Sequence, residues 1–314
     1  MAKKSRTKAR DAHQAAPGEV GPRQPCPCGS GKRFKACHGA EGGAGGVYVG
    51  RPFEGLPSEC DIVAMRELVP SATAPLSVKG TDKPVTLCSL LPMAAPAMVR
   101  DSGQLWLGLQ VQHNFGDPSR DLGAVLQLAI DADESGVVGL TDPPGEGPRL
   151  QDLVTDPQDA ALKVTVHEGF DFWVSDVEEK DELVAAMEQA NAAANPTARL
   201  TQVEAAYWTD VGTKEHLRWV MPEPEDLLLD ALARLHVAGK DVIVEGARLV
   251  GMFRAHGLLA PVWDLPVGTG PEALEDPAST FAEDLAAALA DGSALDAHQR
   301  AARSGLANRQ VTIR

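Results

Sequence analysis

The pattern of apolar and polar positions divides the chain into an aperiodic head and a periodic body. Residues 1–22 are polar, contain Pro and Gly, and show neither a period of two nor one of 3.6; they read as a disordered basic tail. Residues 40–58, AEGGAGGVYVGRPFEGLPS, are rich in Gly and read as a linker. The body runs over 59–314. In QLWLGLQVQ, Leu105, Leu107, Leu109 and Val111 alternate with Trp106, Gly108 and Gln110, the mark of a half-buried strand. PVTLCSLL, with Val85 and Leu87 on one face, is another strand, as are ALKVTVHEGFDFWV (161–174), ARLTQVEAAYWTDV (198–211) and EHLRWVM (215–221). The last two flank the short turn GTK and read as a hairpin. DVEEKDELVAAMEQAN reads as a helix, capped by Asp176 with Glu179 at the third position and striped by Leu183, Val184 and Met187.

The second half of the body takes a helical period. PEDLLLDALARLHVAGK starts at Pro224, carries Leu228, Leu232 and Leu235 on one face, and stops at Gly239. EGARLVGMFRAHG reads as a second helix, with Leu249, Met252 and Phe253 on one face and Gly257 as its stop. STFAEDLAAALADG, with Thr280 and Glu283 in capping-box register, ends at Gly292, and SALDAHQRAARSG gives a last helix from Ser293 to Gly305. No repeat of fixed period is present. The expected fold class is α+β, with a sheet-rich first half, a helix-rich second half and a candidate subdivision near residue 222.

Charge changes this picture by separating head from body. The 314-residue chain has a net charge of −15, but residues 1–40 hold nine basic and two acidic residues, a net of +7, and the remainder is −22. A basic head on an acidic body fits a head that meets a polyanion such as ribosomal RNA, and it argues against DNA binding by the whole protein. No apolar run approaches the roughly 20 residues that span a bilayer. The basic start, MAKKSRTKAR, has no apolar stretch behind it, so a secretory signal is not expected and a cytoplasmic protein is. Low Lys relative to Arg and abundant Ala fit a bacterial source of high GC content.

Three of the five cysteines sit between the tail and the linker, in CPCGSGKRFKACH (26–38). Clustered cysteines in a chain without an export signal read as metal ligands before disulfides. Cys26, Cys28, Cys37 and His38 form a Cys₃His set, which suits tetrahedral Zn²⁺. Gly29 and Gly31 free the backbone after Cys28 to turn its N–H groups toward sulfur, and Lys32, Arg33 and Lys35 offset the residual negative charge of three thiolates on one zinc. A segment this short folds on metal binding rather than on burial. The GSGK within it is not a phosphate loop: the required first Gly is Cys26, the required Ser or Thr is Arg33, and no strand precedes it.

PCPCGSGKRFKACHG resembles the SEC-C motif, the small zinc-binding segment that ends the bacterial preprotein translocase ATPase, over residues 25–39. The resemblance implies that Cys26, Cys28, Cys37 and His38 hold zinc. It also implies that Lys32, Arg33, Phe34 and Lys35 form a contact face for a ribosome, a chaperone or a component of the export machinery. The chain has no Walker A loop and is not itself a translocase motor. ARLVGMFRAHGLLAPVWDLP (247–266), behind the motif and linker, resembles an uncharacterised bacterial family in which SEC-C precedes a domain of unknown function (the family numbered 5926).

The body itself carries few chemical signals. DADESGVVGLTD (131–142) matches a calcium loop at Asp131, Asp133, Ser135 and Gly136, but ends on Asp142 in place of Glu and runs into Pro143 and Pro144; it reads as an acidic turn. HNFGDPSRDLG places His113, Asp117, Arg120 and Asp121 in one polar loop after a strand. Arg254 and His256 stand at an expected helix end, where a His serves as a dipole partner. HExxH and GxSxG are absent, and the five Trp read as packing. The expected class is a zinc-binding interaction or adaptor protein with no catalytic residue assigned. The alternatives are an enzyme in the body, with a pocket drawing on His113, Arg120 or His256, and nucleic-acid binding through the basic head.

Overall fold

The computed structural model describes Gln24, Arg33, Phe34 and residues 48–112, 114–155, 161–175 and 181–309. The expected zinc ligands Cys26, Cys28, Cys37 and His38, together with Lys32, Lys35, His113 and the Asp176 cap, lie outside the described residues.

The body opens with α1 (Glu59–Glu67), which buries Ile62, Val63, Ala64 and Met65 and carries Glu59 and Asp61 in its first turn. Phe53 and Leu56, within the Gly-rich stretch ahead of it, are already buried in the core. Six short strands then build the first sheet: β1 (Ala72–Leu76), β2 (Val85–Cys88), β3 (Ala97–Val99), β4 (Leu105–Gly108), β5 (Gly136–Val138) and β6 (Thr165–Val166), in the order β5-β3-β4-β2-β1-β6. β2 and β4 are parallel, with Val85 opposite Leu105, and the other pairs are antiparallel. Between β4 and β5 lies α2 (Pro118–Ile130), capped by the Asp117 carboxylate, which accepts from the Ser119 and Arg120 amides with Pro118 at the first helical position. A single helical turn, α3 (Leu150–Leu153), and the helix α4 (Asp181–Ala193) complete this half.

The second sheet is antiparallel throughout, in the order β10-β11-β9-β8-β7, and consists of β7 (Thr197–Arg199), β8 (Ala206–Asp210), β9 (Glu215–Trp219), β10 (Arg248–Ala255) and β11 (Leu258–Leu265). Its helices are α5 (Glu225–Val237), α6 (Glu275–Ala290) and α7 (Ala297–Ala307). Alternate residues of this sheet enter two cores. Tyr207, Phe253, Leu258, Ala260 and Val262 join the core built on α1, α2 and the first sheet. Leu217, Trp219, Leu249, Met252, Leu259 and Trp263 pack against Leu228, Leu232, Phe281 and Leu285 of α5 and α6. The second sheet therefore lies between its own helices and the first half, and its strands fall on both sides of residue 222 in the chain.

The α+β class is as read from sequence, and so are the strands at 85–88, 105–108 and 215–219, the β8–β9 hairpin and α5. The helix expected over 245–257 is instead strand β10, joined to β11 by only His256 and Gly257, both at positive φ (50° and 81°). Both faces of this hairpin are covered, so its residues lack the alternation that marks a half-buried strand, and His-Gly makes the primed two-residue turn rather than a helix stop. The strand expected over 161–174 shrinks to Thr165–Val166 followed by a 3₁₀ turn at Asp171–Val174. The one expected over 198–211 breaks into β7 and β8 because Glu275 accepts from the Thr201 and Gln202 amides and holds a turn there. The helix α6 starts at Glu275, ahead of Thr280, whose hydroxyl donates to the Asp276 carbonyl within it. The helix α7 starts at the Asp296–Gln299 capping box rather than at Ser293.

Candidate functional site

Of the Cys-rich module, the described residues show one contact: the Phe34 amide donates to the Gln24 carbonyl at 2.8 Å, across residues 25–33. Arg33 is exposed and Phe34 is half-buried. The donor set read from sequence fits zinc, because three thiols and one imidazole match the nitrogen and sulfur ligands of a closed structural site. Among the described residues no group of three or more His, Cys, Asp or Glu could hold a metal ion, so the acidic turn at 131–142, partly taken up by β5, is not such a group.

The chain enters the body beside a concave region. The Val49 amide donates to Gly116, and the Pro52 carbonyl accepts from Arg149 Nη2 and Gln151 Nε2, each at 2.8 Å. Gly116 leads into the Asp117 cap, and Arg149 pairs with the same carboxylate at 2.8 Å. Next to this junction lies a cleft of about 240 Å³. Met93–Pro96 form its lip, Gly108 at the end of β4 and Val111 and Gln112 beyond it line it, Pro118, Asp121, Leu122 and Val125 form the α2 wall, and Val137, Gly139, Leu140 and Thr141 form the β5 wall. Arg66, from the last turn of α1, closes it. A second hollow of about 460 Å³ shares Phe115 and Asp121 with the cleft and is lined further by Asp117, Arg120 and Arg149.

Two charged groups, Arg66 and Asp121, line this cleft, whose remaining walls are mainly apolar apart from Gln112 and Thr141. Burial pushes the Asp121 carboxyl up to about 6; its bond from the Phe115 amide at 3.1 Å pulls the other way, Asp117 adds to the rise, and Arg66 and Arg120 oppose it. Burial lowers the pKa of Arg66, which donates through Nη1 to the Leu109 carbonyl. The Arg66 Nε stands 3.5 Å from Glu67 Oε1 without a hydrogen-bond partner.

The residues expected in a body pocket do not converge here. Arg120 turns outward from α2 and donates to the carbonyls of Gly145 and Pro148, at 3.0 and 3.1 Å, pinning the loop before α3. His256 sits at the β10–β11 turn, bonded to Glu67 at 2.8 Å and edge-on to Phe53. His113 lies outside the described residues. Burial pushes the Cys60 thiol up to about 12, with the Glu59 and Asp61 carboxylates adding to the rise, and it raises the Cys88 thiol too, so both stay protonated. Four Trp, at 106, 173, 219 and 263, are buried in the cores, in keeping with their reading as packing. In sequence Asp121 is only part of a polar loop, and Arg66, the one basic residue of the run DIVAMRE, carries no motif.

Residues 52–314 match the profile described as "Family of unknown function (DUF5926)", and residues 23–40 match the SEC-C motif. Searches of curated proteins and of solved structures return no match.

Proposed function

We propose that this chain, which belongs to the DUF5926 family and carries a SEC-C motif ahead of that domain, is a zinc-dependent interaction or adaptor protein. The observation that carries the reading is the SEC-C match over 23–40, with Cys26, Cys28, Cys37 and His38 in place as a Cys₃His set. Zinc bound there supplies folding energy to a segment with no core of its own. The basic and aromatic residues Lys32, Arg33, Phe34 and Lys35 then form the contact face toward a ribosome, a chaperone or an export component. The exposure of Arg33 supports that role. The body is the cargo or second-partner end of the adaptor, and the described chain enters it at Val49, whose amide donates to the Gly116 carbonyl.

An enzyme in the body is the second reading, favoured by the raised Asp121 carboxyl in the cleft. It is the weaker one, because no nucleophile with an adjoining base stands in the cleft among the described residues.

A crosslinking pull-down with the full chain and with Cys28→Ser separates the readings. The adaptor reading expects about one equivalent of zinc in the native chain by metal analysis. It also expects the ribosomal, chaperone or export partners to be lost together with the zinc in the variant. Retention of every partner by a zinc-free Cys28→Ser chain would sink it.

A further inference from the structure

We propose that the cleft between α1, α2 and the β5 edge binds a small, neutral, amphipathic organic molecule of the carboxamide class. Its apolar part fills the body of the cleft, and its carbonyl and N–H groups are held between Arg66 and Asp121. The inference does not rest on the zinc module.

The polar end of the cleft sets the chemistry. Arg66 is a donor only: its Nη1 is committed to the Leu109 carbonyl and its buried Nε stands against Glu67, which leaves Nη2 uncommitted among the described residues; Asp121 has one carboxylate oxygen committed to the Phe115 amide and one that no bond claims. A phosphate or a free carboxylate placed there meets the negative Asp121, and an ammonium meets the positive Arg66. A head that is neutral overall but carries both an acceptor and a donor satisfies both groups at once. The charged neighbours beyond this pair are Glu67 beside Arg66, and Asp117 and Arg120 in the first turn of α2.

The walls set the rest. Leu122, Val125 and Val137 offer apolar surface, and at about 240 Å³ the cleft suits a ring or short chain rather than a large cofactor. The lip is backbone under strain: Met93 and Ala94 both lie in the left-handed region, at φ of 58° and 52°. The surroundings impose it. The Ala95 carbonyl approaches so close to Gly108 that an added Cβ would stand 2.3 Å away, and the Gly108 amide donates to Pro96. The Met93 side chain, 74 % exposed, is thereby held at the mouth, where a flexible thioether adapts to an apolar guest.

Benzamide, benzoate and benzylamine titrated into the ¹⁵N-labelled full chain test this, at pH 8 where Asp121 is ionised. Benzamide is expected to give saturable shifts at the amides of Gly108, Val111, Val125 and Leu140. Benzoate and benzylamine are expected to bind about tenfold more weakly. In Asp121→Asn the handicap of benzoate should shrink, because the repelling charge is gone. Absence of saturable benzamide shifts, shifts confined to other surfaces, or equal binding of all three probes would overturn the proposal, and these wild-type outcomes stand whether or not the variant folds. An unchanged benzoate handicap in a folded Asp121→Asn chain would overturn it too.

Discussion

Asp121 is an unfavourable residue for the fold. Its carboxyl rises from an ordinary value of 3.8 to about 6 on folding, chiefly through burial, so the folded protein holds this proton more tightly than the unfolded chain does. The cost is absent below pH 3.8, grows between 3.8 and about 6, and is fully present above. Asn copies the protonated acid and escapes the cost. Asp121→Asn should therefore match the wild type in urea unfolding near pH 4 and exceed it at pH 8, by about 1 kcal/mol once the partial exposure of the site is allowed for. A variant less stable than wild type at pH 8 would contradict this origin of the shift. Natural sequences keep such costly groups where they bind or react, and this one lines the cleft. Half of the site was legible in the residues alone. Asp117-Pro118 announces a helix start, which puts Asp121 one turn further on, although the polar run around it reads as a loop. Arg66 was illegible, because its importance comes from α1 meeting the end of β4, a contact no local spacing encodes.

At the scale of elements, legibility followed one-sided burial. The helix α5 has an exposed and a buried face, a Pro start and a Gly stop, and its pattern shows. The strands β10 and β11 are covered on both faces, with Val250, Phe253 and Val262 toward one core and Leu249, Met252 and Leu259 toward the other, and the run LVGMF satisfies a helical stripe as well as a strand. The short helix α1, between Pro57 and Pro70, and the calcium-like turn that contains β5 were likewise set by their neighbours. The turn His256–Gly257 was the local cue that could have decided for a hairpin. It now makes a sharp prediction. Gly257 has φ 81°, and an added Cβ would stand 2.8 Å from Arg51 Cβ and 3.0 Å from the Gly50 carbonyl. Gly257→Ala should cost about 1–3 kcal/mol of unfolding free energy. The neighbouring Gly239, at φ 68° after α5 with open space around its Cα, serves as the control, losing only the conformational part. Equal losses at the two positions would mean that the close approach to residues 50 and 51 contributes nothing.

For the whole molecule, the question is how many units it contains. The body's two sheets share one core, and a buried cluster links the halves: Asp61 of α1 accepts from Tyr207 Oη at 2.6 Å and from Arg199 Nε and Nη2 at 3.0 and 2.9 Å. Asp61 is only 3 % exposed, so parting the halves would leave its charge buried without a partner or force it into water. Glu67 and His256 make a second tie between α1 and the second sheet. These contacts predict one cooperative unfolding transition for 48–309, despite the two sheets. Trp106 and Trp173 report on the first half and Trp219 and Trp263 on the second. For the zinc module, whose expected ligands Cys26, Cys28, Cys37 and His38 lie outside the described residues, the adaptor proposal makes a separate prediction. Stripping zinc with a chelator should leave the body's transition where it was, while a Trp-free signal from the head, such as thiol reactivity of its three cysteines, rises. Single-Trp variants reporting from each half should give coincident urea curves with and without zinc. Two separated curves would divide the body into independent domains, and a shift of both on zinc removal would make the module part of the body's fold rather than a tethered docking element.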